Sequence, residues 1–259
     1  MMPISPVVRN LLILNVVIFF LQDVSPYFLD WFAMHPFTSS KFMPHQLVTY
    51  MFLHANFRHL FSNMIGLFFF GPVLENSVFG SKRFVVFYLI TGIGAGLLDA
   101  SVNYYELLQV QEAAQMYIKN PSSYGFLQFL HQYAPEFQQS AMDFINDFET
   151  NPTATKYIDE SVSVVNSIYG QFSNGTTVGA SGAIFGILGG FGFLFPNQEM
   201  YLMFIPVPIK AKYFIGFYAL YELYSGIHQS NSGIAHFAHI GGLIFGILLI
   251  KYWGYQRRN

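Results

Sequence analysis

Six stretches of nearly unbroken apolar sequence, at 7–25, 59–79, 83–102, 178–196, 207–226 and 233–253, constrain this chain more than any other feature. A bilayer core takes about 20 apolar residues per helix, so each stretch is long enough, or nearly so, to span a membrane. The first is the shortest in effect, because Asp23 and Asp30 close it early. It begins "MMPISPVVRN" with no small-residue cleavage site, so it reads as a retained span and not as a removed leader. Only 10% of the 259 residues are charged and 53% are hydrophobic, which predicts an all-α membrane protein of six transmembrane helices in one domain, 1–259. With no cysteine, disulfides, thiolate metal sites and cysteine nucleophiles are excluded. A net charge of −2 gives no footing for a nucleic-acid partner; the partner the composition calls for is the lipid bilayer.

The basic residues orient the six stretches. With a cytoplasmic N-terminus, Arg9, Lys82, Arg83, Lys210, Lys212, Lys251, Arg257 and Arg258 fall inside, and only Lys41, Arg58, Lys119 and Lys156 fall outside. That split follows the positive-inside rule and puts both termini in the cytoplasm. A polar insert, 103–176, then lies on the outer side between the third and fourth helices and holds eight of the fourteen acidic residues. Phe137, Ala141, Phe144, Ile145 and Phe148 predict an amphipathic helix over 135–149; Ile158, Val162, Val165 and Ile168 predict a second over 155–169, stopping at Gly170. The expectation for the insert is a helical extracytoplasmic cap that restricts access to what lies beneath it, since its end runs directly into Val178.

Ionisable and hydrogen-bonding groups are costly in a bilayer and usually functional. His59 and Asn63 lie in the second stretch, Ser181 in the fourth, and His236 and His239 in the sixth. All three stretches run from outside to inside, and each of these residues sits within about two turns of its helix start, so one outer layer collects them. Gly182, Gly186 and Gly190 recur every four residues on the fourth stretch, as do Gly242 and Gly246 on the sixth. Small residues at this spacing let helix backbones approach closely, which would bring Ser181 near His239. Taken singly, such a serine returns its hydroxyl to its own helix and such a histidine packs at an interface. A hydroxyl, a base and two extra donors in one layer point instead to acyl-transfer chemistry: serine needs a neighbouring base, and the developing oxyanion needs preorganised donors.

"HANFRHLFSNM" (54–64), "GASGAIFG" (179–186) and "AHIGGLIFG" (238–246), in this order, resemble the rhomboid family of intramembrane serine proteases. The resemblance covers all six stretches and omits the insert. It implies a Ser–His dyad without metal or cofactor, in which Ser181 is the nucleophile and His239 the general base. His59 and Asn63, with the Ser181 N–H, would form the oxyanion hole, and Gly182, Gly186, Gly242 and Gly246 the close packing around it. It also implies single-span membrane proteins as substrates, cut in or near their transmembrane segments, and an aromatic-rich fifth helix acting as a lateral gate. Phe185 stands where relatives often carry a tyrosine over the catalytic imidazole, and His45-Gln46 stands where many carry a Trp-Arg pair. Glu222 is read as reaching water at the outer interface. The plain six-helix layout suggests a bacterial plasma membrane. Two other readings are a zinc hydrolase using His54, His59, His236 and His239, weakened by the lack of HExxH and of an acid beside the histidines, and a non-enzyme, either a silent relative that binds membrane clients or a transporter using the same polar layer.

Overall fold

A computed structural model describes residues 4–25, 27–202, 205–228 and 235–258; residues 1–3, ahead of the first stretch, and Gly233 and Ile234 at the head of the sixth lie outside them. The elements run α1 (Pro6–Leu21), α2 (Phe28–Phe32), α3 (Gln46–Thr49), α4 (Phe57–Leu74), α5 (Gly80–Lys119), α6 (Ser123–Tyr133), α7 (Pro135–Gln138), α8 (Met142–Thr150), α9 (Thr155–Asn174), α10 (Ser181–Leu194), β1 (Glu199–Leu202), β2 (Ile205–Lys210), α11 (Ala211–His228) and α12 (His236–Tyr252). Among the described residues, one helical run, Phe57–Lys119, is long and apolar enough to cross a membrane; Pro6–Leu21, Ser181–Leu194 and His236–Tyr252 are apolar but shorter.

The chain divides into two compact units. The first, Met1–His35, Lys41–Ala100 and Thr176–Asn259, contains α1, α4, the first half of α5, and α10 to α12. Its core is aromatic and aliphatic: Tyr50, Met51, Leu67, Leu74, Phe84, Phe87, Tyr88 and Ile187 are almost wholly buried. α10 lies at its centre, with eleven of its fourteen residues buried. Glu75, just past α4, accepts hydrogen bonds from the Val7 and Val8 N–H groups at 3.1 and 3.0 Å, satisfying two of the open donors at the start of α1. Gly80, at φ +70°, then turns the chain into α5.

The segment between α1 and α4 is tied through Gln46, whose side chain is fully buried. Its Oε1 accepts from the His35 and Met43 N–H groups, while Nε2 donates to the carbonyls of Asp30, Trp31 and Lys41 at 3.0–3.4 Å. His45 Nε2 adds a bond to the Trp31 carbonyl at 2.8 Å. The His45-Gln46 departure therefore closes a loop by hydrogen bonding to backbone.

The second unit, Pro36–Ser40 and Ser101–Gly175, has a core of its own. Val110, Ala114 and Tyr117 of α5 pack with Phe126, Phe129 and Leu130 of α6, Ile145 of α8, and Val165 and Ile168 of α9. Tyr117 Oη donates to the buried Ser161 Oγ at 2.6 Å.

Four boundaries differ from the sequence reading, each for a physical reason. The third helix does not stop at 102 but runs to Lys119, because 103–119 holds no Gly or Pro and keeps apolar residues at 107, 110, 114 and 117; polarity ended the hydropathy signal without ending the helix. The helix expected over 135–149 is interrupted at 139–141, where the Ser140 hydroxyl bonds back to the Phe137 carbonyl at 2.9 Å. α9 passes through Gly170 to Asn174, since a helical glycine costs only about 1 kcal/mol and does not by itself end a helix. Finally, the fold is not purely α. Residues 207–210, the expected entry to the fifth helix, lie instead in β2, which pairs antiparallel with β1 in the register Glu199↔Lys210, Met200↔Ile209 and Leu202↔Ile205. Pro206 and Pro208 push their preceding residues out of the helical region, so α11 begins only at Ala211.

Candidate active site

α4 begins where Asn56 caps it: its side chain accepts from the His59 N–H at 2.9 Å, which places His59 in the first turn and Asn63 one turn further on. His59 is half-buried and stacks edge-on with the buried His54 at 5.1 Å between ring centroids. Asn63 is buried, and its Nδ2 has no hydrogen-bond partner among the described residues. A buried amide donor without an acceptor costs about 1–3 kcal/mol, so its retention asks for an acceptor supplied from elsewhere.

Ser181 is the first residue of α10. No side chain caps this helix, so the N–H groups of its first turn, that of Ser181 included, are left for another acceptor. The approach to it is fixed by Gly179, which sits at φ +134° and donates its N–H to the Tyr50 carbonyl at 2.9 Å. Tyr50 Oη in turn bonds the Gly92 carbonyl on α5 at 2.8 Å. A Cβ at Gly179 would fall 2.8 Å from His59 Nε2 and 3.5 Å from Ser181 Oγ, so the serine hydroxyl and the imidazole flank the same small volume. Gly179 carries weight at the site that the sequence reading gave only to the later glycines of the motif.

α10 and α12 cross at backbone contact. A Cβ at Gly242 would lie 1.8 Å from the Gly182 carbonyl oxygen, and one at Gly246 2.6 Å from that of Gly186. The opposite side of the same turns meets α5, where Gly182 faces Ala95 and Gly186 faces Thr91. All four glycines thus sit in close contacts, and a Cβ at Gly182 would come within 3.5 Å of the carbonyl of Ala238, the residue before His239. The His239 ring lies parallel to Phe185 of α10 at 4.2 Å and 5°. Among the described residues no hydrogen bond joins Ser181 Oγ to His239, whose Nδ1 is engaged with Glu222.

The largest correction concerns Glu222. Instead of reaching water it is 3% exposed, and its Oε2 receives His236 Nδ1 at 2.6 Å and His239 Nδ1 at 2.9 Å. An ionised carboxylate only accepts, so each imidazole donates from Nδ1 and, when neutral, keeps its lone pair on Nε2. An acid within an apolar helix calls for an ionisable partner, but the sequence does not say which: both partners lie on another helix, 14 and 17 residues further on.

Glu222, His236 and His239 also offer three ligand atoms within 4.8 Å of one another. His54 and His59 do not join them. Tetrahedral zinc, with bonds of about 2.0–2.1 Å, separates its ligand atoms by roughly 3.3 Å. Separations of 2.6 and 2.9 Å are those of proton-filled hydrogen bonds instead. An acid does lie beside the histidines, contrary to the sequence reading, but it is engaged with them.

The Rhomboid domain family matches residues 41–109 and 157–256. The chain belongs to the rhomboid family. It is therefore an integral membrane protein of a family that acts on membrane proteins within the bilayer and that includes both serine proteases and inactive members. It is 29% identical over 199 residues to rhomboid-like protein 12, mitochondrial, of Arabidopsis thaliana, covering 76% of this chain and 43% of that one. An uncharacterized mitochondrial rhomboid protein of Schizosaccharomyces pombe is 27% identical over 207 residues, 78% of this chain and 48% of that one. Rhomboid protein 1, mitochondrial, of Saccharomyces cerevisiae is 37% identical over 75 residues, 29% of this chain and 21% of that one. The chain thus spans less than half the length of the curated relatives it matches. All three are mitochondrial by name, where the layout of this sequence had suggested a bacterial plasma membrane.

Proposed function

We propose that this rhomboid is an active intramembrane serine endopeptidase that cleaves single-span membrane proteins in or near their transmembrane segments. The observation that carries the reading is the His239 imidazole, held by Phe185 and Glu222 at the crossing where α12 touches the first turns of α10. In the reaction, His239 Nε2 takes the Ser181 hydroxyl proton as Oγ adds to the scissile carbonyl. The oxyanion forms where Asn63 Nδ2, His59 and the Ser181 N–H supply donors, and donors fixed in a low-dielectric site lower the barrier by roughly 3–4 kcal/mol each. The intermediate collapses as His239 returns the proton to the leaving amine, and water repeats the sequence on the acyl-enzyme.

The same reading takes six transmembrane helices, both termini on the cytoplasmic side, and a site that opens outward; the distribution of Lys and Arg supports it. The family match passes over 110–156, which supports taking 103–176 as an insert in a single rhomboid domain. Tyr213, Phe217, Leu220 and Tyr224 give α11 an exposed apolar face suited to lipid or to a substrate helix. The names of the relatives favour a mitochondrial membrane over a bacterial one, and fractionation of cells expressing the tagged chain decides the compartment. For the activity, a fluorophosphonate or isocoumarin probe is expected to label the detergent-solubilised protein, and labelling should vanish in both Ser181→Ala and His239→Ala. A folded wild-type chain that takes no label would instead be a silent client-binding rhomboid.

A further inference from the structure

The dyad leaves one buried charge without a role. Glu222 lies on α11, a helix that contributes no other group to the chemistry, yet its carboxylate reaches across to α12 and bonds both histidines of that helix. We propose that Glu222 makes the site a Ser–His–Glu triad, as a positioning residue that acts on the substrate only through His239. This rests on the protease reading above and deepens it.

The geometry supplies three reasons. First, the bond is made at Nδ1, at 2.9 Å, so the carboxylate fixes the tautomer in which Nε2 is the free base, the nitrogen that a serine hydroxyl must meet. Second, Phe185 on one face of the ring restricts its tilt, and Glu222 at its edge restricts its rotation; together they leave the imidazole one orientation. Third, when Nε2 takes the Ser181 proton the ring becomes a cation, and Glu222 is the negative charge in contact with it. The proton on Nδ1 stays there throughout, and the carboxylate remains ionised. His236, donating to the same Oε2 at 2.6 Å, holds the carboxylate from behind.

The other titratable neighbours do not substitute for it. His59, from α4, lies within electrostatic range of His239 but carries no negative charge. Tyr218, one turn before Glu222 on α11, packs its ring against Phe185 at 4.8 Å, tilted by 58°. α5 meets this part of α12 with Ala95 and Leu98 against Gly241, and α10 brings the Ser181 hydroxyl.

The test is the second-order rate of fluorophosphonate labelling of the full chain as a function of pH, in wild type, Glu222→Gln, Glu222→Asp and Glu222→Ala, with KM and kcat measured on a membrane-protein substrate. Glu222→Gln is expected to lower the plateau rate by about 10²-fold, as losses of aligned general bases do. It should also move the acid limb to lower pH, because an imidazolium without its counter-charge loses its proton more readily. The fall should appear in kcat with KM unchanged, and Glu222→Asp, which keeps the charge, should recover part of the rate and hold the wild-type midpoint. If Glu222→Gln does not fold, the Asp and Ala variants carry the comparison. A wild-type rate and midpoint in Glu222→Gln would overturn the assignment. So would a loss of rate without a shift in midpoint and with Asp no better than Ala, since that pattern belongs to packing. If the wild-type protein takes no Ser181-dependent label, the protease reading fails and the triad with it, a result distinct from the other two.

Discussion

Adding one methyl group at Gly242 tests whether the helix crossing sets the chemistry. In Gly242→Ala the new Cβ would stand 1.8 Å from the Gly182 carbonyl oxygen, and real Cβ contacts are essentially never under 3.0 Å. The obstacle is backbone, so no side chain swings aside; α12 must part from α10 by about 1.2 Å or the helices must slide. Overpacking of this kind costs about 1–3 kcal/mol of stability, which a folded membrane domain survives. A misplacement of about 1 Å between reacting groups costs about 10²-fold in rate, and Ser181 and His239 sit on the two helices being separated. The expectation is therefore a folded protein, with a melting temperature lowered by several degrees and a fluorophosphonate labelling rate lowered about 10²-fold. Gly246→Ala, where the gap is 2.6 Å, should lose only several-fold, and Gly216→Ala, with nothing within 4 Å, should label normally. Wild-type labelling by a folded Gly242→Ala, or equal losses in all three, would refute the link between crossing distance and reactivity.

Gly179→Ala should lower labelling by about 10²-fold, because its Cβ would strike the His59 ring at 2.7 Å from a backbone angle of +134°; the added loss from His59→Ala should be smaller in this background than in wild type, as a double-mutant cycle would read. Phe185→Leu should reduce kcat roughly three- to tenfold with KM unchanged, the worth of one stacked ring, while Phe185→Tyr stays within about twofold. Gln46→Ala removes five hydrogen bonds to the segment between α1 and α4 and should cost at least about 2 kcal/mol in chemical unfolding. Metal chelators should leave labelling unchanged; a loss restored by zinc would reinstate the metal reading for Glu222, His236 and His239.

Where one helix face decided the matter, the sequence was informative. Glycines four residues apart on α10 and α12 identified the crossing, because backbone contact in lipid selects the same residue type wherever it occurs. Long apolar runs marked the helices of the first unit, but an apolar run is silent about where a helix stops once the chain turns polar, so the continuation of α5 to Lys119 was hidden. At the head of the fifth stretch Pro208 outweighed hydropathy, a local steric fact that a window average erases. Glu222 failed for a different reason. Its partners are 14 and 17 residues away on another helix, and only the packing of α11 on α12 decides that it faces them and not water.

Thr177 Oγ1 donates to Asp99 Oδ2 at 2.9 Å. Both residues belong to the first unit, so the two points that flank the stretch 101–175 are bonded directly to each other. Such an arrangement makes the intervening stretch exchangeable. It can lengthen, shrink or acquire a new surface in evolution without dragging Ser181 from its place, because the ends it must meet stay where Asp99 and Thr177 hold them. A short Gly/Ser bridge in its place should give a chain that still takes a serine-directed label.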